Sequence, residues 1–214
     1  PNPGAAGHPA PADGVGHYVY DVRWSPTGKE LLYNRTNRKQ NIMDFCAADP
    51  ATGKSRVVVH EEWPASWTEN SPSITWLADQ QRFIWVSEKT GFRNFYMGNL
   101  DGSPLKPITQ HGFEVGNIVK LDEARKQLWY MARDGDTPYR MQLHRIGLDG
   151  RAGVRLTDAK FHHSVVVSPD GGYFSDVAET MTEPPMTRIL NQSGKVIATL
   201  AESDLTKFKD LKLQ

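Results

Sequence analysis

Apolar and polar positions along the chain sort into short runs separated by turns, and the same order of events occurs four times. Each repeat opens with a β-prone run and turns into a strongly apolar one. A second turn leads to an amphipathic run, and a glycine-containing turn closes on a last short strand. The first repeat reads 18–24, 31–34, 42–47 and 56–59; the second, 73–77, 82–87, 92–97 and 105–109. The third reads 113–121, 127–132, 141–146 and 154–157; the fourth, 164–168, 173–177, 186–190 and 196–200. The closing-turn glycines Gly53, Gly102, Gly150 and Gly194 lie 49, 48 and 44 residues apart. Glycine suits such turns because a tight hairpin often needs positive φ, which costs little only without a Cβ. Four strands in about 40–50 residues is the arithmetic of a β-propeller blade.

Run character bears on the choice of fold. Phe83–Val86, Leu128–Met131 and Ser164–Val167 are not clean apolar/polar alternations, and a continuous apolar run implies cover on both faces of a strand. Third strands such as Met141–Arg145 keep polar positions and are expected near solvent. A two-sheet sandwich is the competing architecture, but its strands should alternate more strictly. The reading is therefore all-β: a β-propeller segment of four four-stranded antiparallel blades. The blades are placed at about 17–60, 72–110, 113–158 and 163–201. Residues 1–16, mostly Pro, Gly and Ala, read as a linker or tail. Residues 202–214 read as a connector, with helical composition over Glu202–Leu213.

Composition narrows the function classes. Of 214 residues, 38% are hydrophobic, 10% aromatic and 23% charged, which suits a packed domain rather than a disordered chain. Basic and acidic residues balance at 25 each, so no global field draws the chain to nucleic acid or an anionic membrane. Apolar runs are too short to span a bilayer. Cys46 is the single cysteine, which excludes an internal disulfide framework and a cysteine-rich zinc site. Residue 1 is Pro rather than Met, so a piece of something longer is expected.

Two stretches carry a resemblance to a known family. One is Asp21-Val22-Arg23-Trp24-Ser25-Pro26 with Asn37 to Asp44. The other is Thr75-Trp76-Leu77 followed by Arg82-Phe83-Ile84-Trp85-Val86-Ser87-Glu88-Lys89-Thr90-Gly91-Phe92-Arg93-Asn94-Phe95-Tyr96. Both resemble the propeller of dipeptidyl peptidase IV enzymes, in particular the bacterial branch of that family within the prolyl oligopeptidase clan. The second stretch is the more specific, because residue identities and spacing both match. The resemblance implies an eight-bladed propeller over an α/β-hydrolase domain, with this chain as the second half of the propeller. It places the hydrolase domain outside the chain and makes 205–214 the connection towards it. It also implies a serine exopeptidase parent, periplasmic or extracellular, acting on peptide substrates and able to pair as a homodimer. A stand-alone β-propeller scaffold for protein partners is the alternative.

The residues themselves offer little catalytic chemistry. A serine hydrolase of that class needs its nucleophile on a strained elbow, Gly-x-Ser-x-Gly, and no such pentapeptide occurs. No catalytic residue is assigned, and the chain alone is expected to be inactive. Asp- and Ser-rich turns are expected to cap themselves. The histidines, including His60, His144 and the adjacent His162-His163, are scattered, so no metal site and no cofactor are expected. The short basic runs Arg35–Lys39 and Lys207–Lys212 read as solvated faces. Glu61-Glu62 reads as a solvated loop pair; the family's paired glutamates, which hold the substrate's amino terminus, fall in an earlier blade by resemblance. The long connection from Glu61 to Pro72 is the better candidate for substrate contact. The resemblance gives its loop an aromatic and an Arg at an outer specificity subsite; Trp67 supplies the aromatic, while Thr68 and Glu69 stand where the Arg would be. Packing of Trp63 and Trp67 into the gap between blades is the competing reading.

Overall fold

The computed structural model describes residues 17–206. The tail read over 1–16, the run Lys207–Lys212 and the connector beyond Thr206 lie outside the described residues; Glu202, where a helix was expected to begin, instead closes a strand. The chain divides into two compact units at Gly112 and Phe113, each holding two sheets. The first unit contains β1 (Tyr18–Trp24), β2 (Leu31–Thr36), β3 (Ile42–Ala48) and β4 (Ser55–Glu62) in one sheet. Its second sheet holds β5 (Ile74–Trp76), β6 (Arg82–Ser87), β7 (Asn94–Asn99) and β8 (Lys106–Pro107). The second unit has β9 (Val115–Asp122), β10 (Gln127–Ala132), β11 (Gln142–Gly147) and β12 (Val154–Arg155) in one sheet. Its other sheet holds β13 (His162–Val167), β14 (Tyr173–Glu179), β15 (Met186–Asn191) and β16 (Val196–Glu202). Neighbouring strands follow chain order and pair antiparallel, so each sheet is a four-stranded meander. The all-β expectation of four four-stranded antiparallel blades is met, and a sandwich of two sheets is not what forms.

The turns form for the reason the glycines suggested. Gly53, Gly102, Gly150 and Gly194 all have φ between 69° and 83°. An Asp or Asn caps each turn: Asp49 accepts from the Ala51 N–H, Asp101 from Ser103, Asp149 from Arg151 and Asn191 from Ser193. The turn glycine of one sheet can also abut the last strand of the sheet before it. A Cβ on Gly102 would stand 2.9 Å from the Val57 carbonyl oxygen of β4.

Each unit has its core between its two sheets. In the first, Leu32, Met43, Phe45 and Val59 pack against Phe83, Trp85 and Tyr96. Phe45 meets Phe83 edge-on at 5.9 Å and lies 5.5 Å from Trp85, an arrangement that adds roughly 0.5–1.5 kcal/mol per pair beyond burial. In the second, Trp129, Met131 and Leu143 pack against Phe174 and Leu190. Strands β6 and β10 are buried over nearly their whole length, as continuous apolar runs should be when both faces are covered.

Two strands differ from their sequence reading. Met141–Arg145 was expected near solvent, yet in β11 Gln142, Leu143 and His144 are buried, because β12 rather than β11 is the sheet edge. The Gln142 polarity is used internally. Its amide donates to the Phe161 carbonyl, and its oxygen accepts from the Thr157 hydroxyl, which itself accepts the Leu143 N–H. Asn94 and Thr109 repeat the same latch in the first unit, with the Phe95 N–H on Thr109. Ser164–Val167 was expected to be covered on both faces, but in β13 Ser164 is exposed and Val166 is 71% exposed. The strand edges its sheet, and among the described residues nothing covers that face.

Candidate functional site

The site is built where β4 and β6 of the first unit meet, and a break in register explains it. Val59 pairs with Phe45 and Val57 with Cys46, so Val58 is the extra residue of a bulge and both Val58 and Val59 face inward. Alternation then resumes: His60 points out, Glu61 in and Glu62 out. Glu61 is therefore neither in a loop nor solvated, contrary to the reading of the pair. It is the penultimate residue of β4, opposite the buried Met43, and reaches the next sheet. Trp85 and Ser87 lie two apart on β6 and share a face. The Trp85 indole N–H donates to one Glu61 oxygen at 2.9 Å, and the Ser87 hydroxyl donates to the other at 2.9 Å. Burial pushes the Glu61 pKa up, and these donors, with the charges of Lys89 and His60, pull it back only in part. Glu62 stays at the surface, as expected, 3.8 Å from the ring of His60.

The connection after β4 is long but firmly held. Trp63 N–H donates to the Asn41 carbonyl at 2.9 Å, and Thr68 N–H donates to the Gln40 carbonyl at 2.8 Å. The buried Thr68 hydroxyl bonds the same carbonyl, and the Asn70 amide donates to the Gln40 side chain at 2.7 Å. Gln40 sits at φ 56°, a left-handed conformation that a non-glycine residue adopts only under surrounding constraint. The Asn37 side-chain oxygen fixes the same turn by accepting from the Asn41 and Ile42 N–H groups. Out of this anchored loop Trp67 projects with 64% of its surface exposed, so it does not fill the gap between sheets. Trp63 is 36% exposed.

Together these residues line a hollow of about 400 Å³. Glu61 and Ser87 form its base, Trp63 and Trp67 its walls, and Glu69 and Lys89 reach its rim. The Lys89 ammonium stands 4.0 Å over the Tyr96 ring. Chemically, such a hollow can orient a ligand by aromatic contact and charge. Trp67, the residue expected to meet substrate, lies in the lining; Glu61 was expected to be a solvated loop residue, and Trp85 and Ser87 were not singled out. The signal available was the alternation restarted at Val59, with the i, i+2 pair Trp85 and Ser87 on the facing strand.

Other polar clusters support the fold. Asp176 accepts from Arg188 at 2.8 Å and faces His163 Nδ1 at 2.7 Å, while His163 Nε2 faces the Asp158 carbonyl at 2.8 Å. Both ring nitrogens are thus committed, one within the sheet and one to the connection that precedes β13. In the first unit Asp44 bonds Arg35 and His60 in a similar cluster. Burial pushes the Cys46 thiol up to about 11, which leaves it protonated and unreactive at neutral pH. Among the described residues, no group of three or more His, Cys, Asp or Glu side chains could hold a metal ion. Among them too, no helix is long and apolar enough to cross a membrane.

Comparison with known proteins gives a consistent picture. Residues 8–185 match the sequence model of the dipeptidyl peptidase IV N-terminal region. Dipeptidyl peptidase 4 of Trichophyton equinum and that of Trichophyton rubrum are each 21% identical to the chain over 204 residues, covering 91% of it and 26% of theirs. The crystal structure of Porphyromonas gingivalis dipeptidyl peptidase 4 superposes with a TM-score of 0.70 at 18% identity, covering 89% of this chain and 27% of that one. The chain therefore spans about a quarter of the length of the curated relatives it matches.

Proposed function

The chain belongs to the dipeptidyl peptidase IV N-terminal region family, and from that premise we propose that it is part of the propeller of a serine-type dipeptidyl peptidase. In this reading the segment gates access to the active site and helps hold peptide substrates. An α/β-hydrolase domain elsewhere in the same polypeptide performs the cut, in a periplasmic or extracellular protein that can pair as a homodimer. The 214 residues supply no Gly-x-Ser-x-Gly elbow, so they contribute binding and not bond cleavage. Trp67 is the substrate-contacting residue. The observation that carries this role is the contrast between its exposed indole and the loop beneath it, bonded to Gln40 at three points. A large ring held open on a rigid support binds an apolar or planar group with little loss of conformational entropy.

The test is dipeptide release from Xaa-Pro chromogenic substrates by the full polypeptide that carries this chain. Release should be blocked by a serine-directed phosphonate, and the 214-residue segment alone should show none. Trp67→Ala should raise KM several-fold with kcat nearly unchanged, the signature of lost uniform binding. A full polypeptide that releases no dipeptide would overturn the peptidase reading and favour a scaffold for protein partners.

A further inference from the structure

The hollow beside Trp67 has a definite chemical bias. At its base a single carboxylate, Glu61, is fixed by two donors, and both donors are neutral: an indole N–H and a hydroxyl. Neutral donors orient an anion without cancelling its charge. A carboxylate has about four lone-pair sites, so each Glu61 oxygen can accept a further bond. The remaining lining is just as one-sided. Glu62, Glu69 and Glu88 add three more carboxylates, and among the described residues Lys89 is the one cation in the lining. That ammonium is already drawn over the Tyr96 ring, and the Glu69 carboxylate accepts from the Ser71 N–H. The walls are the indoles of Trp63 and Trp67, surfaces against which an aliphatic stem or a guanidinium plane packs well. A volume of about 400 Å³ accommodates one long side chain with its flanking backbone.

We propose that this hollow receives the basic side chain, lysine or arginine, of a bound peptide, with Glu61 as the carboxylate that meets the cation and Trp67 as the wall that covers its stem. The proposal rests on the reading that the hollow meets a peptide, and it names which peptides. The same arrangement rejects acidic side chains, since a carboxylate entering there faces Glu61, Glu62, Glu69 and Glu88.

The experiment uses the full polypeptide and a peptide series Xaa-Pro-Ala-Ala, where Xaa is Lys, Arg, norleucine, citrulline or Glu. Binding is measured by calorimetry and dipeptide release is followed separately. Lys and Arg should bind about tenfold tighter than their uncharged isosteres, the scale of one well-placed charged contact, and Glu should bind weakest. Glu61→Gln should abolish the preference for charge while keeping affinity for the norleucine peptide. Equal affinities of Lys and norleucine, or a preference that survives Glu61→Gln, overturns the proposal. If Glu61→Gln does not fold, the exposed pair Glu62→Gln/Glu69→Gln reads the same property. The Lys preference should then fall roughly threefold, and an unchanged preference overturns the proposal. The two readings fail separately. Charge preference without any dipeptide release ends the peptidase reading alone, whereas release without charge preference ends this one alone.

Discussion

Replacing Gly102 with alanine should cost the fold more than the same change at Gly53, although both residues close equivalent hairpins of the first unit. Gly53 has φ 69° and no atom within 4 Å of where a Cβ would stand. Alanine there meets only the left-handed backbone penalty, about 1–2 kcal/mol, partly offset by the less flexible unfolded chain; the net is about 1 kcal/mol. Gly102 has φ 83°, so its backbone penalty is similar, but its Cβ would lie 2.9 Å from the Val57 carbonyl oxygen and 3.8 Å from the Val58 Cα. Those atoms are backbone of β4 and have no rotamer to change, so the two sheets must separate locally. Overpacking of this kind costs about 1–3 kcal/mol more. Urea denaturation of the two variants should show the gap, and a central value of about 2 kcal/mol corresponds to roughly 4–8 °C in Tm for a chain of this size. Asparagine separates the causes, because it tolerates positive φ but still carries a Cβ. It should be nearly neutral at Gly53 and remain damaging at Gly102. Equal losses at the two positions would show that the turn does not bear on β4, and the stacking argument would fail.

Two further predictions concern other parts of the fold. Thr109→Val and Thr157→Val keep side-chain shape but remove the hydroxyls that join Phe95 N–H to Asn94 and Leu143 N–H to Gln142. Each should cost about 1–3 kcal/mol by leaving buried polar groups unpaired, and unchanged urea midpoints would show that the latches carry no stability. At Asp79, burial pushes the pKa up, but the Arg82 and Gln81 N–H groups and the Arg82 guanidinium outweigh it and hold the carboxyl at about 2. A depressed acid stabilises the fold above its unfolded pKa of about 4 and loses that contribution as pH falls through the folded value. The Tm advantage of the wild type over Asp79→Asn should therefore persist above about pH 4 and close towards pH 2; a pH-independent gap would refute it.

What the sequence disclosed follows from what each residue type does locally. Positive-φ turns leave their mark as Asp49 with Gly53, Asp101 with Gly102, Asp149 with Gly150 and Asn191 with Gly194, so hairpin positions were legible. Full burial leaves its mark as unbroken runs such as Phe83–Val86, so inner strands were legible too. Position within a sheet leaves a weaker trace. Gln142 looked solvent-facing because side-chain polarity alone does not distinguish water from an internal partner such as Thr157. Ser164–Val167 looked doubly covered because its residues suit a covered strand, whether or not a neighbour is present to cover it.

The candidate site was half legible for a related reason. Trp67 was reached through the family resemblance of its loop, and it is 64% exposed. Glu61 was hidden by its neighbour: two adjacent glutamates read as one charged patch. A strand assigns adjacent residues to opposite faces, and the bulge at Val58 decided which glutamate turned inward. Had Val58 instead paired with Phe45 in an unbroken register, Glu62 would have shared the face that meets Trp85 and Glu61 would have faced the other way. The register of β4 on β3 thus selects the carboxylate that the β6 donors hold, and with it the charge at the base of the hollow. Deleting Val58 would remove the bulge but keep both flanking pairings, because Val57 with Cys46 and Val59 with Phe45 would become consecutive pairs. Glu61 would therefore stay opposite Met43, and any preference for cationic side chains should stay with Glu61.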